Sequence, residues 1–368
     1  MTSKLNHDTI GGTACIITGG LLNDIHAKTA HGLIRQSDRF KIVGIIDHVS
    51  AGKDAGEVLD GRHRNIPVVA KLDELIQSSG KKPEYAIIGM ATKGGVLPKE
   101  LYPLVKHALE IGINLVNGLH QTIGDIQEFA SIAHESSARI IDVRKPKGFN
   151  DLHFWTGKIK EVKAIKLGVL GTDCALGKRT TTKFLVNDLN SAGINTHMIY
   201  TGQTGWLQGT KYGFIFDATP NDFISGELEH AVYQCWVEEN PNVIVMEGQS
   251  SLRNPSGPCG SEYIISGELD GVVLQHAPAR QYFNGLESYG KPIPPIKDEI
   301  ELIRQLGAPT ICITLNTEDL TDTEAIAAKK RIEDECGIPV VLPLEEGMGA
   351  CMEIVKTMVQ DIKIENWS

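Results

Sequence analysis

Apolar residues fall in short continuous runs along this chain, each followed by a stretch with helical spacing. Residues 13–18, 41–47, 85–89 and 113–117 are β-branched or aliphatic nearly throughout, the pattern of strands buried on both faces. Between the last two, Leu101, Leu104, Val105, Ala108 and Leu109 recur at i, i+3, i+4, i+7 and i+8, which predicts a helix. Strand, helix, strand in this order calls for parallel neighbours joined by crossovers, so the pattern predicts a doubly wound α/β domain. Its periodicity ends near Val143, and residues 144–150 carry Pro, Gly and charge without period, as a connector does. A second series then begins at 164–170 and continues with apolar runs at 196–200, 243–246, 271–274, 310–315 and 338–341. The expectation is two α/β domains, 1–150 and 151–368, the first doubly wound and the second built on another α/β sheet. Residues 284–295, rich in Gly and Pro, read as a surface loop.

Length agrees with two domains, since 368 residues exceed the roughly 100–200 expected of one. A hydrophobic fraction of 41% with 22% charged residues belongs to a globular chain and sets aside the disordered and collagen-like classes. With 36 Lys and Arg against 46 Asp and Glu, the net charge of −10 gives no general attraction to nucleic acid or to anionic lipid, and neither is expected as a partner. Seven widely spread cysteines without a C-x-x-C argue against a disulfide framework and against a zinc site, and no metal-ligating residues are assigned. No basic flank with an apolar core opens the chain, and no run of about 18 apolar residues follows. Cytoplasmic location is the expectation.

The segment Gly171-Thr-Asp-Cys-Ala-Leu-Gly-Lys-Arg-Thr-Thr-Thr182 carries the strongest chemical signal. It follows a predicted strand and precedes a predicted helix at 181–190. Phosphate binding wants converging backbone N–H groups, glycine to let them converge, a helix N-terminus and a lysine, and the segment has each. Gly171, Thr172, Asp173, Cys174, Ala175, Leu176, Gly177, Lys178, Arg179, Thr180 and Thr181 are therefore the candidate cofactor-binding residues. Two departures from G-x-x-x-x-G-K-[ST] stand out: Thr172 occupies the first glycine position, and Arg179 separates Lys178 from Thr180, displacing the usual magnesium hydroxyl. The bland alternative is a strand-to-helix turn with an exposed lysine. Cys174, near a helix N-terminus that would lower its pKa, keeps a covalent acyl-cysteine in view. In the first domain only Gly19-Gly-Leu-Leu-Asn-Asp24 stands where a dinucleotide fingerprint would be, so Asp47 is a weak ribose reader and NAD is not expected.

The loop is similar to that of dethiobiotin synthetases, and Val243-Ile-Val-Met-Glu247-Gly resembles the strand that supplies an acidic residue near magnesium in those enzymes. That likeness makes Glu247 a metal- or substrate-orienting carboxylate and makes Asn316, closing the strand at 310–315, a candidate adenine contact. The whole chain resembles a two-domain family with a Rossmann-like domain joined to a phosphate-loop domain, which includes D-glutamate N-acetyltransferases. Asn117-Gly-Leu-His120, the loop, Thr201-Gly-Gln-Thr-Gly205, Asn221-Asp-Phe223 with Gly226-Glu-Leu228, Glu247-Gly-Gln-Ser250 and His276-Ala-Pro278 carry the resemblance.

An acetyl-coenzyme A-dependent N-acetyltransferase acting on an acidic amino acid, D-glutamate by resemblance, is then the first expectation. Coenzyme A brings a pyrophosphate and a 3′-phosphate that such a loop can hold without phosphoryl transfer. A dicarboxylate amine demands cations for its carboxylates and a base for its ammonium. Arg253 and Arg280 follow strands at the open edge of the sheet and are candidate clamps; Glu247 or His276 is the candidate base. Gln203 is a candidate donor to the developing oxyanion, and His120 a substrate contact or a packed turn residue. The alternatives are an ATP- and magnesium-dependent ligase or kinase like dethiobiotin synthetase, and a nucleotide-binding regulatory protein. A homo-oligomer is expected.

Overall fold

A computed structural model describes residues 10–365. The stretch 1–9, read above for a leader, lies outside them. The chain divides into two compact units: the residues up to Pro146 together with Gln203–Lys211, and Lys147–Gly202 together with the chain from Tyr212 onward.

The first unit holds β1 (Gly12–Ile17), β2 (Phe40–Ile46), β3 (Val68–Val69), β4 (Tyr85–Ile88), β5 (Asn114–Asn117) and β6 (Ile140–Asp142). They form one parallel sheet in the order β3-β2-β1-β4-β5-β6, that of a Rossmann-like fold. Every residue of β4 is buried, as its continuous apolar run requires. The predicted helix is present as Tyr102–Glu110, with Val105, Ala108 and Leu109 turned to the core. Strands β3 and β6, two and three residues long, are too short to leave a run in the sequence.

Asp47, just past β2, organises the open edge of this sheet. Its Oδ2 accepts from Thr18 Oγ1 (2.7 Å), Gly20 N (2.8 Å) and Leu22 N (3.0 Å), and its Oδ1 from Val49 N (3.2 Å) and Ser50 N (2.9 Å). Burial alone would raise this carboxyl, but the hydrogen bonds outweigh it and hold the group below its ordinary value. The glycine turn after β1 thus points its amides at the protein's own carboxylate. Both oxygens that a ribose would need are taken.

The second unit holds β7 (Ile165–Gly171), β8 (Thr196–Tyr200), β9 (Tyr212–Gly213), β10 (Val243–Glu247), β11 (Gly271–His276), β12 (Thr310–Leu315) and β13 (Val340–Val341). Their order is β13-β12-β11-β7-β10-β8-β9, again parallel throughout. Strand β7 is central and buried at all seven positions. Ile165, Leu167 and Val169 pack on Leu185 and Leu189 of the helix Lys178–Ser191, while Leu170 faces the core under the opposite helices. Gly168 leaves room for Leu269, whose Cδ1 would lie 2.5 Å from an added Cβ. Among the described residues no helix is long and apolar enough to cross a membrane.

The Gly226-Glu-Leu228 motif has a structural task on the helix Asn221–Glu239. Buried Glu227 accepts from His153 N (3.0 Å) and Nδ1 (2.8 Å) and pairs with Lys147 (2.5 Å). Glu229 accepts from the backbone of Thr156 (2.9 Å), Gly157 (2.8 Å) and Lys158 (3.2 Å). Phe223 receives the rings of Phe149 and Phe154. Residues 147–158 are therefore strapped along one helix, and Gly226 is where the strap lies closest: an added Cβ would sit 2.0 Å from the His153 carbonyl oxygen. Gly226→Ala is expected to cost about 1–3 kcal/mol through this overlap. Urea unfolding followed by circular dichroism measures it, and an unchanged midpoint would show that the strap yields freely.

Candidate phosphate-binding site

Strand β7 lies between β10 and β11, so the loop that leaves it is flanked by the ends of both. Thr172 N donates to Gln275 O (3.0 Å), and the Thr172 hydroxyl meets His276 Nδ1 (2.9 Å), both on β11. The chain then turns through Ala175 (φ 52°) and Gly177 (φ 95°), two left-handed positions of which only the second is a glycine. The helix starts at Lys178, three residues before its apolar pattern announces it, because its first turn is Lys-Arg-Thr.

Asp173, fully buried, ties the loop to its surroundings. Its Oδ1 accepts from Cys174 N (2.7 Å) and Asn254 Nδ2 (2.9 Å); its Oδ2 accepts from Arg280 (3.0 Å) and from Asn284 N (2.8 Å). Arg280 also donates to the Cys174 carbonyl (2.8 Å). Lys178 is only 6% exposed, which sets aside the reading as a solvated lysine. Its Nζ donates to the carbonyls of Asp173 and Ser250, both at 2.7 Å. Burial pushes this ammonium down to about 8.

Of the threonines that follow, Thr181 donates to Gln275 Oε1 (2.5 Å), which Thr314 also reaches (2.7 Å), and Thr182 donates to the Lys178 carbonyl (2.8 Å). Thr180 is half-buried. Glu247 ends β10, beside β7, and is 5% exposed. Its Oε2 accepts from Thr201 N (3.3 Å), while Thr201 Oγ1 donates to its carbonyl (2.6 Å) and accepts from Gln249 Nε2 (3.0 Å). Burial raises the Glu247 carboxyl, and the nearby charge of Arg179 recovers only part of that shift.

The remaining candidates are placed as follows. Arg253 donates to buried Glu299 (2.6 Å), and Arg280 to Asp173 and Glu318, so both guanidinium groups are engaged by carboxylates of the chain itself. Burial, with the charges of Arg331 and Arg280, pushes His276 down to about 4, leaving a neutral imidazole that is a weak base. Burial and then the Asp173 charge raise the Cys174 thiol, opposite to the lowering expected from a helix N-terminus. Asn316 donates to the Leu176 carbonyl (3.1 Å) and accepts from Glu318 N (2.8 Å), holding the loop rather than facing outward. In the first unit, Gln203 begins a short helix, Gln203–Leu207, where a loop was expected; its Oε1 accepts from Arg144 (2.7 Å), which also donates to the His120 ring. Gly118 lies under Gln203, 3.1 Å from Cγ to an added Cβ.

Asn254, Asn284, Ser250 and Arg144 were missed as partners of the site residues. Asn254 stands one residue after Arg253, and Asn284 opens the segment read as a surface loop, so only their three-dimensional partners reveal them.

Residues 153–352 match the family domain described as the DUF1611 C-terminal P-loop domain, and residues 48–146 its N-terminal Rossmann-like domain. The chain belongs to this family. A DUF1611 family protein from Anabaena variabilis has the same fold, with a TM-score of 0.85 at 27% identity over 94% of this chain and 99% of that one. Two relatives are named D-glutamate N-acetyltransferase. The one from Pseudoalteromonas is 30% identical over 71% of this chain and 78% of its own length. The one from Tritonibacter scottomollicae is 28% identical over 80% and 87%.

The buried lysine gives a pH dependence with a definite sign. Because Lys178 is lowered from 10.5 to about 8, the unfolded chain binds more protons between those values, and this group favours folding increasingly as pH rises through that window. A phosphate ligand wants the charged form, so its affinity should fall above about pH 8, by at most about tenfold per unit. Titration of the ligand from pH 7 to 9.5 measures this, and Lys178→Arg, charged throughout, should flatten the slope. A slope that the arginine variant leaves unchanged would assign it to another group.

Proposed function

We propose that the protein is an N-acetyltransferase that carries the acetyl group of acetyl-coenzyme A to the amine of an acidic amino acid, D-glutamate. One observation carries this reading beyond the names of the relatives. Arg179 follows Lys178 where a phosphoryl-transfer loop has its metal-binding hydroxyl, and its charge acts on Glu247, the strand-end acid that would flank the metal. A guanidinium there suits phosphates that are held and not broken. Lys178, the loop amides and Arg179 would bind the pyrophosphate of coenzyme A.

In the reaction the amine nitrogen attacks the thioester carbonyl, a C–N bond forms, the C–S bond breaks, and the coenzyme leaves as a thiol after gaining a proton. A base must first take a proton from the ammonium of the acceptor. Glu247 suits this better than His276: burial makes its carboxylate a stronger base than an ordinary one, whereas the same burial weakens the imidazole. An ATP- and magnesium-dependent ligase is the second reading, favoured by the position of Glu247 at the end of the strand beside the loop strand.

The purified protein with acetyl-coenzyme A and D-glutamate is expected to release free thiol in excess EDTA, and ATP with magnesium to give no glutamate-dependent ADP. Glu247→Gln should lower kcat by about 10²–10⁴-fold. Substrate-dependent ADP that EDTA abolishes, without thiol, would replace the transferase by the ligase.

A further inference from the structure

Within the second unit, a cavity of about 420 Å³ adjoins the loop and has no part in the chemistry above. Two of its lining residues also belong to the loop's surroundings: His276, bonded to the Thr172 hydroxyl, and Arg280, bonded to Asp173 and to the Cys174 carbonyl. The cavity therefore runs on from the place where the loop would hold a pyrophosphate. Its charge is lopsided. Asp173 and Glu318, both outside the lining, take Arg280, so the excess rests on Lys297 and Arg331, which line the cavity with a single acid, Glu335, met by Arg331 at 3.4 Å along the helix Asp322–Cys336. Pro294, Pro295 and Ile332 give the same cavity an apolar wall. A ring packed on prolines with cations at its margin describes a site for a purine nucleoside bearing an extra phosphate.

We propose that this cavity receives the adenosine 3′-phosphate end of coenzyme A, with Lys297 and Arg331 on the 3′-phosphate and the Pro294–Pro295 wall against the base. The assignment rests on the acetyl-coenzyme A reading of the loop and adds a specificity that the loop cannot supply. Loop amides and Lys178 meet a pyrophosphate, which coenzyme A shares with its 3′-dephospho form and with ADP. Only a second cationic group away from the loop can tell them apart.

Calorimetric titration of the full chain with coenzyme A and with 3′-dephospho-coenzyme A tests this. The native protein should bind coenzyme A about tenfold or more tightly than the dephospho form, the margin of roughly one charge-assisted contact. Lys297→Ala and Arg331→Ala, both changes at exposed positions, should bring the ratio towards one while leaving the dephospho affinity unchanged. Equal affinities in the native protein would overturn the inference and leave the loop reading intact. So would variants that weaken both ligands equally, or that raise only the KM of the acidic acceptor, which would give the cavity to the acceptor's carboxylates. Binding of neither coenzyme form would overturn the acetyl-coenzyme A reading itself and this inference with it.

Discussion

A buried carboxylate with four donors fixes the second unit's loop, and the rest of the site is arranged around it. A carboxyl side chain buried as fully as Asp173 is tolerable only where hydrogen bonds and an opposite charge replace water. Cys174 N, Asn254, Arg280 and Asn284 N do so, and they come from three stretches of chain: the loop, the segment after β10 and the segment after β11. Meeting the needs of one side chain therefore brings the two neighbouring strand ends into place over the loop. The same residue's carbonyl takes one of the hydrogen bonds of Lys178. Loop path, flanking walls and lysine position share a single origin.

The first unit uses the same device to the opposite effect. Asp47 also sits past a strand and also gathers amides, but two of its donors are the N–H groups of Gly20 and Leu22, in the turn after the first strand. In a dinucleotide fold those amides would serve the pyrophosphate. In the second unit Asp173 takes only the Cys174 amide of its loop. Two parallel sheets with similar construction thus differ in how far the amides of the first turn face a carboxylate of the chain: Gly20 N and Leu22 N in the first unit, Cys174 N in the second. The strand order alone does not express this difference, and the absence of a G-x-G-x-x-G fingerprint in the first domain agrees with it.

Strands of four residues or more were legible because burial on both faces leaves continuous apolar runs, and β8 and β12 have the bounds their runs predict. Strands β3, β6 and β9 leave no such trace in two or three residues, whereas β13, as short, was legible from the longer apolar run at 338–341 that contains it. The phosphate loop was legible because its parts are local: a strand, glycines, a lysine and a helix within one short segment. Its partners were not, since Asn254 and Asn284 lie 81 and 111 residues from Asp173. Arg253 and Arg280 show the limit most clearly. Their place after strands was readable, but not that Glu299 and Asp173 already face them. The motif Gly226-Glu-Leu228 marks a strap along a helix, so a family signature need not mark chemistry.

The state of Lys178 supports the phosphate ligand proposed for the loop. Its two hydrogen-bond acceptors are carbonyls, which orient the ammonium without neutralising it. Asp173 and Glu247 lie near enough to act on its charge, yet burial outweighs them and the group falls to about 8. That depression measures how incompletely the protein compensates a cation it has taken out of water. An anion arriving at the loop supplies the missing charge, and its affinity then includes relief of a cost already built into the fold. Arg179 places a second cation on the next residue of the helix, and its charge acts on Glu247. A ligand with several linked phosphates can answer both cations at once, whereas a single carboxylate cannot.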